Sequence, residues 1–118
     1  MISFEKLEVY TEGINLAQSI YKITKGFPKD ELFGLTGQLR RAAVSIACNI
    51  AEGSSRTKKD FAHFIDLARG SCFELVPLLT IALNSGYITD KQFEELYAHI
   101  EVLAKRMHAL KKSIVHDL

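Results

Sequence analysis

The sequence predicts an all-α protein, an antiparallel up-down-up-down four-helix bundle that forms one domain over residues 1–118. Two observations predict this fold class. Four segments carry apolar residues at steps of three and four, the spacing of one helix face, and no segment shows the two-residue alternation of a strand. The connections between segments are short, so consecutive helices are expected to pack as antiparallel neighbours.

The first helix is predicted over about residues 4–25 and the second over about residues 35–53. Gly26 and Pro28 end the first helix, because proline cannot continue a helical hydrogen-bond ladder. Gly53 suits the left-handed backbone conformation just past the end of the second helix. The apolar face of the first helix is Leu7, Tyr10, Ile14, Ala17 and Ile20, and that of the second is Leu35, Leu39, Ala42, Ile46 and Ile50.

The third helix is predicted over about residues 58–84, with Thr57 as its N-cap. Pro77 lies inside this helix and is expected to remove one backbone hydrogen bond and to produce a local kink. The fourth helix, about residues 90–115, follows a capping box formed by Thr89 and Gln92. Its apolar residues alternate in the manner of a coiled-coil seam: Phe93, Leu96, Ile100, Leu103, Met107, Leu110 and Ile114.

The charge balance argues against a protein with a strong overall field. The chain has 15 basic and 14 acidic side chains and a formal net charge of +1, so only a local patch could support nucleic-acid binding. Cys48 and Cys72 form no CxxC pair and are expected to be reduced thiols of a cytoplasmic protein. No signal peptide and no membrane-spanning run is expected. The four histidines lack metal-ligand spacing, so no metal or cofactor is expected.

The second and third helices carry apolar residues outside their core faces. A helix that is apolar nearly all round is buried nearly all round, which one four-helix bundle cannot achieve alone. We therefore predict a homo-oligomer in which these two helices form the subunit interface. The alternative is a loosely patterned bundle with some exposed apolar side chains. The predicted interface residues are Val44, Ala47, Cys48, Ala51, Leu67, Leu78 and Ile81.

A row of polar residues runs along the second helix beside its apolar face. Its members are Gln38, Arg41, Ser45, Asn49 and Glu52, with Asp66, Arg69 and Glu74 of the third helix as candidate partners. We interpret the row as a structural network, because charges near an interface need partners. The alternative is an enzyme site with Glu52 as base and Arg41 as anion clamp. No nucleophile, base and orienting group stand together, so no enzymatic activity is expected.

Two basic clusters are candidate nucleic-acid contacts. The first stands at the start of the third helix and the second near the end of the fourth. Ordinary solvation is the alternative for both clusters, and the helix dipole supports it for the second, because basic residues late in a helix complement that dipole. In a ring-shaped oligomer either cluster would repeat around one face and give salt-dependent binding of RNA or DNA. The clusters are Arg56, Lys58 and Lys59, and Lys105, Arg106, Lys111 and Lys112.

Several short motifs stand in a characteristic order. They are Gly34-Leu35, Gln38-Leu39-Arg40-Arg41-Ala42-Ala43, Ser45-Ile46, Asn49-Ile50-Ala51-Glu52-Gly53, Ala68-Arg69-Gly70-Ser71 and Glu74-Leu75. Over about residues 4–114 the sequence resembles the bacterial family of four-helix bundle proteins named after open reading frames in 23S rRNA intervening sequences. That family is similar to the accessory variability determinants of diversity-generating retroelements.

The resemblance implies a ring-like homopentamer. For the accessory proteins it also implies binding of a reverse transcriptase and of nucleic acid through a basic surface. It implies structural rather than catalytic roles for the motif residues Gln38, Arg41, Ser45, Asn49, Glu52 and Glu74. The leading hypothesis is thus a non-enzymatic, homo-oligomeric accessory protein that binds RNA. The alternatives are a protein-interaction scaffold without nucleic acid and, less favoured, an enzyme.

Overall fold

The computed structural model describes residues 1–118 and contains four α-helices and no strand. The helices are α1 (Glu8–Thr24), α2 (Leu35–Ser54), α3 (Lys58–Asn84) and α4 (Asp90–His116). Two short 3-10 turns, Ser3–Lys6 and Lys29–Glu31, precede α1 and α2. The prediction of an all-α protein with four helices is therefore confirmed.

The first helix begins four residues later than its apolar spacing predicts. Residues 3–6 form a separate 3-10 turn, and Leu7 has an extended backbone between this turn and α1. The Glu5 carboxylate accepts a hydrogen bond from the Ile2 backbone N–H at 3.0 Å, which closes the turn on itself. Because the spacing of Leu7 and Tyr10 fits either arrangement, apolar periodicity does not reveal this break.

The starts of α3 and α4 follow local capping chemistry. The Thr57 hydroxyl accepts from the Asp60 N–H at 3.2 Å at the start of α3. Thr89 and Gln92 form the predicted capping box, with reciprocal hydrogen bonds of 2.9 and 3.1 Å. α3 continues through Pro77 without interruption. The kink at Pro77 stays a prediction.

Gly53 does not take the left-handed conformation predicted for it. It lies inside α2, and the only glycine with positive φ is Gly86, at 79°. Gly86 follows α3, where the Tyr87 N–H donates to the Ala82 carbonyl at 2.9 Å and the Gly86 N–H donates to the Leu83 carbonyl at 3.0 Å. This pair of bonds is the Schellman arrangement that closes a helix end.

The helices surround one core of 26 buried apolar residues. α1 packs against α2 and α4, and α3 packs against the same two helices. The α1–α4 contact is the loosest, and grooves open along it. Residues with almost no exposed side chain include Leu16, Ile20, Leu39, Ile46, Ile50, Ile65, Leu75, Leu79, Leu103 and Met107.

Pairs of contacting residues show which helix ends lie together. From α3 to α4, Asp66 meets Lys111, Arg69 meets Ala104 and Cys72 meets Ile100, so the numbers rise on one helix and fall on the other. The end of α4 therefore lies beside the start of α3.

Candidate interaction surfaces

The outer face of α2 and α3 keeps part of the predicted apolar surface. Val44 and Cys48 of α2 and Leu67 and Ile81 of α3 are exposed, and Ala51 is half-buried. We call Val44, Cys48, Leu67 and Ile81 the α2–α3 face. These four residues are accessible to a partner.

Two of the predicted interface residues are instead buried within the subunit. Ala47 is 5% exposed, because it faces α1, where a β-carbon on Gly13 would lie 3.6 Å from the Ala47 nitrogen. Leu78 is 8% exposed and belongs to the core. The prediction that these two residues contact a second chain is wrong. A glycine on α1 lets α1 and α2 approach closely, and this widens the buried sector of α2 beyond its periodic apolar face.

The polar row of α2 joins α3 at two points. The Ser45 and Ser71 hydroxyls are hydrogen-bonded at 2.5 Å, and the Arg41 guanidinium lies 3.7 Å from the Glu74 carboxylate. The Asn49 amide donates to the Ser45 carbonyl within α2 at 2.8 Å, so it does not cross to α3. Gln38 is exposed.

Three residues assigned to this network have other partners. Arg69 faces α4, where its Nε donates to the Ala104 carbonyl at 3.3 Å, and its guanidinium lies 5.4 Å from the centre of the Phe73 ring. Asp66 also faces α4 and accepts from Lys111 at 2.7 Å. Glu52 pairs at 2.8 Å with Arg56, which lies four residues further along the chain, just past the end of α2.

The residues proposed for an enzyme site do not converge within a subunit. Arg41 and Glu52 stand eleven residues apart on α2. At 1.5 Å per residue, their backbones are about 16 Å apart along the helix axis. Glu74 lies beside Arg41, so Glu52 has neither a second carboxylate nor this cation next to it.

The structure brings parts of the two basic clusters to the same end of the molecule. Lys58 and Lys59 stand at the start of α3, and Lys111 and Lys112 stand near the end of α4. We call these four residues the basic end. A groove of about 390 Å³ at this end is lined by His108, Lys111, Lys112, Val115 and His116.

Three of the predicted nucleic-acid contacts already have carboxylate partners. Arg56 is hydrogen-bonded to Glu52, which raises the pKa of Arg56. Lys111 is paired with Asp66, and Arg106 forms an ion pair with Glu12 of α1. Lys58, Lys59, Lys105 and Lys112 are exposed and form no ion pair. Lys105 lies apart from the basic end, beside Arg69 and Phe73.

The most exposed aromatic side chain was not identified from the sequence. Phe33, in the connection between α1 and α2, is 97% exposed, and its neighbour Leu32 is also exposed. The available signal was two large apolar residues directly after the charged stretch Lys29–Glu31, outside any helical stripe. Adjoining exposed apolar side chains of this kind form a surface patch that marks a contact site.

An apolar groove runs between α3 and α4. Phe73, Val76, Tyr97, Ile100 and Ala104 line it, and its volume is about 270 Å³. Phe73 is 51% exposed and Tyr97 is 40% exposed. Arg69, Glu101 and Lys105 also line this groove, which we call the Phe73–Tyr97 groove.

The remaining titratable groups form no reactive cluster. Burial raises the pKa of the Cys72 thiol to about 12, so this thiol is protonated at neutral pH. Burial lowers the pKa of His99, which lines a groove between α1 and α4. No three His, Cys, Asp or Glu side chains stand close enough to hold a metal ion. None of the helices combines the length and the apolar composition that a membrane crossing requires.

Comparison with known proteins identifies the family. A solved structure from Bacteroides thetaiotaomicron VPI-5482, described as a protein of unknown function from the S23 ribosomal protein family, has the same fold with a TM-score of 0.81. The two sequences are 23% identical, and the match covers 88% of this chain and 98% of that one. No curated protein sequence is significantly similar. A sequence profile of the 23S rRNA-intervening sequence proteins matches residues 5–109, and the chain therefore belongs to that family.

Proposed function

We propose that the protein is a non-enzymatic, homo-oligomeric RNA-binding accessory protein. Its subunit is an antiparallel up-down-up-down four-helix bundle, and its assembly is a ring-like pentamer. The observation that carries the proposal is the basic end, where Lys58 and Lys59 of α3 lie at the same end of the molecule as Lys111 and Lys112 of α4. Lys58, Lys59 and Lys112 form no ion pair within the subunit and are free to contact phosphates.

Assembly matters to this function because one subunit carries little free positive charge. The formal net charge of the chain is +1. Binding through phosphate contacts gains affinity with each counterion released, so three free lysines support only weak binding. A ring that carries the basic end of every subunit on one side multiplies the number of phosphate contacts. The exposed residues of the α2–α3 face supply apolar surface for such an assembly.

The second candidate function is a protein-interaction scaffold that binds no nucleic acid. The pairing of Arg56, Arg106 and Lys111 with carboxylates favours it. Each pair neutralises one of the seven cations that the sequence offers as nucleic-acid contacts. A scaffold would use the exposed apolar side chains alone.

Titration of a fluorescent RNA hairpin at about 50 mM and about 200 mM salt separates the two functions. RNA binding through the basic end predicts an affinity that falls steeply with salt. It also predicts weaker binding and a smaller salt slope for the double variant Lys58→Glu, Lys59→Glu. The matched control is Lys25→Glu, Lys91→Glu, which changes the net charge equally at the end of α1 and the start of α4. If no RNA binds at the lower salt concentration, the RNA-binding function is excluded and the scaffold function is the one that remains.

Sedimentation velocity tests the assembly independently of RNA. A species several times larger than the 13.2 kDa subunit is expected at micromolar concentration. A species of subunit mass at all concentrations would remove the ring and, with it, the multiplied charge.

A further inference from the structure

We infer that Phe33 is an anchor that inserts into the Phe73–Tyr97 groove of a second copy of this chain. The inference rests on the homo-oligomer proposed above and assigns the contact that builds it. Phe33 and its exposed neighbour Leu32 place two large apolar side chains next to each other on the surface, and contiguous exposed apolar surface marks contact sites. Phe33, at 97% exposure, has the highest exposed fraction of any large apolar residue in the chain.

The connection that carries Phe33 is fixed in place. The Glu31 carboxylate accepts from the Tyr87 hydroxyl at 3.0 Å and from the Leu35 N–H at 3.4 Å. The Leu32 carbonyl lies so close to Gly37 that a β-carbon there would stand 2.8 Å from the carbonyl oxygen. An aromatic side chain on a fixed loop loses little conformational entropy when it binds, which is the property of an interface anchor.

The groove has the size and lining for such an anchor. Its volume of about 270 Å³ exceeds the roughly 150 Å³ of an apolar cavity that binds benzene. Phe73 and Tyr97 stand exposed along this open groove, so an entering phenyl ring meets aromatic and aliphatic side chains.

Charge complementarity points to a second copy of the chain as the occupant. Asp30 and Glu31 precede the anchor, whereas Arg69 and Lys105 line the groove and have no carboxylate partner within the subunit. The one acid of the groove, Glu101, has a counterpart in Lys29 beside the anchor. The two surfaces therefore carry opposite net charge.

The anchor continues into the α2–α3 face. The pair formed by Arg41 and Glu74 places the start of α2 beside the last turns of α3, where Ile81 is exposed. A buried phenylalanine supplies about 150–250 Å² of contact, whereas a stable interface needs about 800 Å² from each partner. Val44, Leu67 and Ile81 provide further apolar contact along the same surface.

The proposed contact is of the kind that builds rings. The anchor surface and the groove are different surfaces of one subunit, so the contact is heterologous. The α2–α3 face and the groove also share helix α3, so they lie on neighbouring sides of the molecule and meet at an angle. Repetition of such a contact turns each copy relative to the last, which gives a ring when the rotation closes and an open helical filament when it does not.

Sedimentation velocity of three single variants tests the anchor. Phe33→Asp is expected to weaken self-association by at least roughly 30-fold, as loss of a central aromatic anchor does, while its circular dichroism spectrum stays that of the wild type. Phe73→Asp, which alters the groove, is expected to weaken self-association equally. If Phe73→Asp does not fold, Tyr97→Asp serves as the groove variant. Val102→Asp is the matched control, since Val102 is exposed on α4 but lines neither surface, and it should assemble normally.

A mixing experiment identifies the partner surface. Phe33→Asp retains the groove and Phe73→Asp retains the anchor, so the two monomeric variants should form a one-to-one heterodimer and nothing larger. Two monomeric variants that do not associate would overturn the inference, as would a Phe33→Asp protein that still assembles. A Phe33→Asp protein that assembles but no longer binds RNA would assign Phe33 to RNA contact instead. A monomeric wild-type protein would overturn the proposed oligomer itself, an outcome separate from these.

Discussion

Gly53 of α2 lies against Phe64 of α3 so closely that a β-carbon at residue 53 would stand 2.5 Å from the Phe64 β-carbon. It would also stand 3.1 Å from the Phe61 ring. We expect Gly53→Ala to lower the free energy of unfolding by about 1–2 kcal/mol. The strain of forcing the two helices apart, about 1–3 kcal/mol, exceeds the helix propensity that alanine adds. Urea unfolding followed by circular dichroism measures the difference.

The matched control is Gly70→Ala on α3. No atom lies within 4 Å of a β-carbon at this position, so alanine adds helix propensity without a clash. This variant should be more stable than the wild type by about 0.5–1 kcal/mol. An equal gain in stability for Gly53→Ala would mean that α2 and α3 separate at this point without cost.

The close packing of Gly53 against α3 could not be predicted from the sequence. Apolar spacing, capping residues and short connections predict four helices, because these signals act within a few neighbouring residues. The close approach of Gly53 and Phe64 depends on the register between two helices, which no local pattern encodes. The sequence therefore indicates that glycine is needed at position 53, but it predicts a left-handed backbone there instead of close helix packing.

The candidate surfaces also contain some residues that helical periodicity predicts and others that it does not. Helical periodicity predicts Val44, Leu67 and Ile81 as outward-facing residues, and they are exposed. It fails for Ala47, whose burial depends on a glycine of α1. It cannot show that Arg106 meets Glu12, because that contact joins distant parts of the chain.

We expect Arg106 to contribute mainly to the stability of the fold, through its ion pair with Glu12, and less to binding. The Glu12 side chain is 17% exposed, and its second carboxylate oxygen is buried without a hydrogen-bond partner. Arg106→Ala would leave this carboxylate unpaired between α1 and α4. We expect a loss of about 1–3 kcal/mol in the free energy of unfolding. Lys105→Ala removes the neighbouring exposed cation, and equal destabilisation by both variants would contradict the importance of the pair.

The two cysteines are expected to differ strongly in reactivity. Burial raises the pKa of Cys72 to about 12, and its sulfur faces the Ile100 carbonyl at 3.7 Å. Cys48 is exposed on α2. In the folded, dissociated Phe33→Asp subunit, where the α2–α3 face is uncovered, a thiol-specific disulfide reagent at pH 8 should therefore modify one thiol per chain, and in denaturant it should modify two. Cys48→Ser should abolish the fast reaction, and rapid modification of a folded Cys48→Ser protein would show that Cys72 is accessible.

Stability should fall as the pH drops below the ordinary histidine pKa of 6.5, through His99. Burial lowers the pKa of His99 in the folded chain, so the unfolded chain binds the proton more readily. Above pH 6.5 the imidazole is neutral in both states and contributes no slope. Between pH 6.5 and the lower pKa of His99 in the folded chain, the unfolded chain takes up the proton more readily, so the free energy of unfolding falls as the pH falls. Lys22 lines the same groove and adds positive charge, whereas Glu95 opposes the effect.

His99→Gln removes this titration and keeps a polar side chain in the groove. Thermal unfolding between pH 7.5 and pH 5 should show a shallower decline for His99→Gln than for the wild type. His116→Gln, which alters an exposed imidazole at the end of α4, is the control and should follow the wild-type curve. Parallel curves for the wild type and His99→Gln would mean that water or Glu95 solvates the charged imidazole in the folded protein, which would locate the acid sensitivity elsewhere in the chain.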